Sequence, residues 1–135
     1  MLFPDYRPRR LRRNENFRRM IRETRLSTDD LILPLFAVPG KNVKEPIEAM
    51  PGQYRLSTDN LVAVAKEAAG LRIPAIMLFG VPGKKDALGT GAYDRKGIIQ
   101  RGTAAAKKAF GADLLVVTDV CLCEYTDHGH CAPVR

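Results

Sequence analysis

No run in this 135-residue sequence approaches the ~18 consecutive apolar residues of a membrane-spanning helix, so no membrane partner is expected. No apolar stretch follows the first residues either: MLFPDYRPRR leads straight into arginines, unlike a secretory signal. A cytoplasmic setting is therefore expected, where thiols stay reduced. There are no internal repeats, no low-complexity segment beyond an arginine-rich start, and no signature of a second domain. The glycine-rich stretch VPGKKDALGTGAYDRKG, residues 81–97, lacks both the dinucleotide-binding and the P-loop spacings. It reads as an ordinary loop between a strand and a helix. Cysteine is scarce too, with three in all and each within one eleven-residue stretch near the end.

Charge is unevenly spread. The formal net charge is +7, and nine arginines against three acidic residues place +6 of it in residues 1–25. An arm of this kind can meet phosphates. Its aromatics, however, are only Phe3, Tyr6 and Phe17, and no groove-reading motif follows, so nucleic acid is not expected as a partner. The eight lysines (Lys41, Lys44, Lys66, Lys84, Lys85, Lys96, Lys107 and Lys108) read as solvated helix faces and loops.

Beyond the arm, strand-like and helix-like segments alternate. DLILPLFAV, residues 30–38, reads as a first strand. Ser57 or Thr58 then caps a helix running to about Leu71, with Leu61, Val64, Ala65 and Ala68 on one apolar stripe and Gly70 as terminator. PAIMLFGV, residues 74–81, is a second strand, and Ile98 to Phe110 a second helix stopped by Gly111. LLVVTDVC, residues 114–121, is short, apolar and rich in β-branched residues, as in a parallel strand covered on both faces. This alternation predicts an α/β fold with a parallel sheet of right-handed βαβ units.

The cysteines lie at the mouth of that third strand, in Cys121-Leu-Cys123-Glu-Tyr-Thr-Asp-His-Gly-His-Cys131. Side chains two apart on a strand share a side, so Asp119, Cys121 and Cys123 project together if the strand persists to Cys123. The loop 124–130 then brings Cys131 back to the same point. Three thiolates around one open position match a catalytic zinc site. A closed structural site with His128 or His130 as fourth ligand also fits, because five candidate ligands for four places are not sorted by spacing. A disulfide and inert buried thiols are the remaining readings; the reducing setting disfavours the first, and three thiols clustered beside two histidines disfavour the second.

TDVCLCEYTDHGHC resembles the zinc-binding segment of the δ-aminolevulinic acid dehydratase (porphobilinogen synthase) family. The likeness continues through RPRRLRRNENFRRMIRET, DLILPLFAV, EPIEAMPGQYRLS and IMLFGVPGKKD, in the family's order. The resemblance implies a (β/α)8 TIM barrel, which needs ~250 residues. On that basis residues 1–25 are an arm with a short helix, and residues 26–135 are the first three βα units of an incomplete barrel. The third strand would then present an open apolar edge. The stretch Val43 to Ser57 resembles the family's short hairpin at the barrel's N-terminal end.

The implied reaction condenses two molecules of 5-aminolevulinate to porphobilinogen with loss of two waters, in tetrapyrrole (haem) biosynthesis. By resemblance Cys121, Cys123 and Cys131 hold Zn2+, and Asp119 supports proton transfer or orients bound water. The family's two Schiff-base lysines come later in its chain, and none of the eight lysines here matches them. This chain alone is thus expected to be inactive. The family's arm reaches over a neighbour in a homo-oligomer, commonly an octamer, and arginine suits that role through bidentate carboxylate pairing. Where the family usually continues with glycine after the third cysteine, Ala132-Pro133-Val134-Arg135 stands here, which suggests a truncated chain or a disrupted frame. The competing expectation is a small non-catalytic zinc-binding or interaction module.

Overall fold

The computed structural model describes residues 9–131. The first eight residues of the arm, with Phe3 and Tyr6, and the Ala132-Pro133-Val134-Arg135 ending lie outside the described residues. Of the arm, Glu15–Ile21 forms a short helix, α1. Asn14 caps it by accepting the Phe17 amide at 3.0 Å, and Glu15 pairs with Arg18 and Arg22 at 2.7 and 3.2 Å. None of its residues is buried.

Five strands form one sheet: β1 (Ile32–Ala37), β2 (Lys44–Pro46), β3 (Tyr54–Leu56), β4 (Ala75–Gly80) and β5 (Leu115–Thr118). Their order is β2-β3-β1-β4-β5, and only β2 runs against its neighbour. Two helices cross between strands, α2 (Thr58–Gly70) after β3 and α3 (Ile98–Phe110) after β4. The three βα strands and both crossover helices therefore stand where the periodicity puts them.

The alternation along each strand explains the layers. Leu33, Leu35 and Ala37 of β1 align with Ile76 and Leu78 of β4 on the face that packs against α2 and α3. Leu61, Ala65 and Ala68 of α2 and Ile98 and Ala106 of α3 are buried. Leu56, Leu61, Ile76, Leu78 and Leu114 are almost wholly enclosed. Each such side chain contributes about 1.5–3 kcal/mol by leaving water. Pro34 sits inside β1 without breaking its pairing. The Val81 amide bonds Ala37 and the Val38 amide bonds Leu56, so odd positions of β1 face β4 and even ones face β3. Position 34 lies below the two residues that β3 pairs, where no ladder donor is required.

The other face of the sheet carries no helix among the described residues. Phe36 and Phe79 stack there with ring centres 5.5 Å apart, beside half-buried Pro34 and Met77. β5 forms the outer edge, with Leu115 61% exposed and the rest of the strand half-buried. The expectation of a third strand covered on both faces is thus corrected, because only the helix side of β5 and Leu114 find cover. Among the described residues no strand pairs with the outer side of β5, in line with the expected open edge.

Three further details differ from expectation. The hairpin β2–β3 joins Phe36 and Ala37 at the carboxyl end of β1, not the amino end. Hydrogen bonds tie it there to the start of α2. Val43 donates to Ser57 Oγ at 2.8 Å, Ser57 donates to Asp59 at 2.5 Å, and Asn60 donates to the Val43 carbonyl at 2.9 Å. Ser57 does occupy the cap position, but its hydroxyl serves this stitch and caps no helix amide. Gly70 is the last helical residue, and the left-handed residue that ends the turn is Arg72, at φ 61°. Gly111, at φ 57°, closes α3 as expected.

Candidate metal centre

β5 stops at Thr118, so strand alternation does not carry the sulfurs to one point. The chain leaves the sheet at Asp119, exposes Val120 almost completely, and turns through Leu122 to Tyr125. Tyr125 and Thr126 both donate backbone bonds to the Leu122 carbonyl, at 2.9 and 3.0 Å. This tight turn, rather than an extended strand, brings Cys121 and Cys123 to the same side and lets Cys131 return to them.

The Cys131 sulfur lies 3.3 Å from Cys121 Sγ and 3.0 Å from Cys123 Sγ, and all three are free thiols. These separations exceed the ~2.05 Å of a disulfide bond. They fall somewhat short of the ~3.8 Å between two sulfurs on a tetrahedral zinc, a difference that a small spreading supplies. Cys131 accepts the Cys123 thiol, the Leu122 amide and the Cys121 thiol, which together lower it to about 7. The Cys123 amide draws Cys121 down, but its thiol hydrogen bonds to Cys131 and Cys123, with burial, outweigh that and push it up to about 12. Cys123 is likewise raised, chiefly by donating to Cys131. Of the three sulfurs Cys131 is thus the first to ionise as pH rises. A soft, thiolate-binding divalent ion fits this donor set.

Neither histidine joins the sulfurs in a ligand cluster. Both His128 nitrogens are committed: Nε2 reaches the Ala87 carbonyl and Nδ1 accepts the His130 amide, each at 3.2 Å. The His130 ring stacks on His128, and its carbonyl accepts the Thr126 hydroxyl at 2.9 Å. The closed site with a histidine as fourth ligand is therefore not the one this geometry forms. Asp119 is exposed and groups with Cys121 and Glu124 rather than with all three sulfurs. Sequence reasoning passed over Glu124, whose Oε2 is buried without a hydrogen-bond partner. Its place directly after Cys123 was the available signal.

The glycine-rich loop 81–97 proves to be the wall against which the cysteine loop rests. Tyr125, only 6% exposed, lies over Gly80 and Gly91 and carries a pKa raised first by burial. A Cβ on Gly80 would overlap the Tyr125 hydroxyl and stand 2.7 Å from Ile99. Asp86 forms a parallel bridge with Thr126. Its amide donates to the Tyr125 carbonyl and its carbonyl accepts the Asp127 amide, both at 3.2 Å.

Comparisons with known proteins show the family of the chain. The family model for delta-aminolevulinic acid dehydratase matches residues 5–135. A delta-aminolevulinic acid dehydratase of Synechocystis sp. is 55% identical over 130 residues, which cover 96% of this chain and 39% of that protein. One from Methanothermus sociabilis is 50% identical, covering 100% of this chain and 42% of its own. The crystal structure of the Toxoplasma gondii enzyme, in complex with its reaction product porphobilinogen, superposes with a TM-score of 0.87 at 36% identity. It matches 96% of this chain and 37% of that one. The chain thus spans about two-fifths of these relatives' length, and it belongs to the delta-aminolevulinic acid dehydratase family.

Proposed function

We propose that this chain carries the metal-binding part of a porphobilinogen synthase, the enzyme that condenses two molecules of 5-aminolevulinate with loss of two waters. The observation that carries this reading is the meeting of Cys121, Cys123 and Cys131 at the carboxyl end of β5, in a chain half identical to dehydratases. Reactive groups gather at that end of the strands in a (β/α)8 barrel. We read the sheet as the first part of such a barrel. Helices on one face only, and an apolar opposite face bearing Phe36, Met77 and Phe79, support that reading.

Cys121, Cys123 and Cys131 would hold zinc. When bound, zinc supplies substrate positioning and modest Lewis acidity, since three thiolates more than balance its charge. Asp119, exposed on the same rim, moves a proton or orients a water at the reacting substrate. Tyr125 seals the floor beneath the loop against α3 and Gly80. A Schiff-base lysine needs a desolvated or cationic pocket, and none of the eight lysines here lies among the buried residues. The two Schiff-base lysines of the family would then be supplied by polypeptide other than these 135 residues. Residues 1–25 would serve as an arm over a neighbouring copy in a homo-oligomer, residues 26–135 as the partial barrel, and the cytoplasm as the place of work.

Two assays on the purified 135-residue chain test this. Zinc should bind once per chain and protect all three thiols from alkylation, and 5-aminolevulinate should give no pyrrole colour. Binding that leaves the thiols reactive would remove the metal assignment. Pyrrole formation by the chain alone would overturn the placement of the lysines elsewhere.

A further inference from the structure

Between Cys123 and Cys131 the chain crosses seven residues with no strand or helix to guide it. Apart from its internal turn, the Thr126–His130 and His130–His128 bonds and the Tyr125 packing, that path is held among the described residues by one external segment. Asp86 binds it through its own amide and carbonyl, and Ala87 through its carbonyl to His128 Nε2. Such bonds are worth about 1 kcal/mol each and hold only if the Asp86 backbone is itself fixed. The Asp86 carboxylate does this. Oδ1 accepts the Leu88 amide at 2.9 Å and the Thr90 amide at 3.1 Å, while Oδ2 accepts the Thr90 hydroxyl. Gly89, at φ 61°, lets the turn close, in a backbone conformation that other residues rarely adopt.

We propose that Asp86 is a positioning residue for the metal centre: its carboxylate fixes the turn 86–90, and the backbone of Asp86 and Ala87 then sets the path that returns Cys131 to Cys121 and Cys123. This rests on the reading of the three cysteines as the metal ligands, and it adds a residue some forty positions away that touches no metal. The carboxylate acts through the hydrogen bonds it accepts. Asparagine can reproduce the two amide contacts through its own Oδ1, whereas alanine can reproduce none.

Cobalt(II) is the probe, because thiolate-to-metal charge-transfer bands report the ligands while titration reports the affinity. In the wild-type chain the bands should appear at one equivalent. Asp86→Ala should weaken binding about 10- to 100-fold, the range for residues that orient metal ligands. Its band positions should stay unchanged because the sulfurs are the same. Asp86→Asn should restore affinity to within about threefold. Alanine binding within twofold of wild type would overturn the proposal, as would asparagine failing like alanine. Should Asp86→Ala not fold, His128→Ala reads the same junction from the other side. A loss of affinity with unchanged bands supports the proposal, and unchanged affinity or shifted bands overturns it. Absence of thiolate bands in the wild type would instead sink the three-cysteine reading itself.

Discussion

The βα body and the cysteine loop are built on different physics. In the body, Leu56, Leu61, Ile76, Leu78 and Leu114 lose nearly all contact with water, and backbone bonding follows regular ladders. In the loop from Asp119 to Cys131 only Tyr125 and Thr126 are buried, and the backbone leans on isolated bonds to Leu122, Asp86 and Ala87. Apolar burial is non-directional and tolerant of small shifts. Hydrogen bonds near 3.2 Å between two loops are directional and individually weak. The body therefore sets stability, while the loop sets whether three sulfurs meet.

That division separates the effects of perturbation. The largest expected effect is of pH on metal uptake. Cys131 is held near 7 while Cys121 and Cys123 are pushed above the usual thiol range, so at neutral pH binding displaces at least two protons. Each displaced proton weakens binding about tenfold per pH unit of acidification. Affinity should drop by about two decades per unit just above pH 7 and about three well below it. The far-ultraviolet dichroism of the body should not change across the same range. A titration series from pH 8 to 6 reads both at once.

Leu61→Ala should come next. It opens a cavity under α2 and should cost about 2–5 kcal/mol of global stability by chemical denaturation. Metal affinity of the folded fraction should stay within about twofold, since Leu61 belongs to the body and not to the loop. Gly80→Ala is smaller and sits on the border. The new methyl must displace the Tyr125 hydroxyl and Ile99, an overpacking worth about 1–3 kcal/mol. Unlike Leu61→Ala, it should weaken cobalt binding along with stability. Equal effects of both variants on metal affinity would erase the proposed division.

Legibility from sequence followed the same line. Strand and helix periodicity located β1, α2, β4, α3 and β5, because repeated apolar spacing reflects burial in one core. The hairpin's place, expected from the resemblance at the other end of the strands, depends on Ser57, Asp59 and Asn60 bonding residues 42 and 43, contacts that no local pattern announces. Residue types named the candidate ligands, and spacing could not sort cysteine from histidine. What spacing could not show is the 86–90 turn, which engages His128 through Ala87 and leaves that ring no free nitrogen. The glycines of residues 81–97 made sense only once Tyr125 was seen lying over them.

X-ray absorption at the zinc edge of the loaded 135-residue chain tests the central claim most directly. Three sulfur neighbours at ~2.3 Å with one lighter atom at ~2.0–2.1 Å, and no outer-shell imidazole scattering, is the expected result. Two or fewer sulfurs, or a clear imidazole signature from His128 or His130, would contradict it.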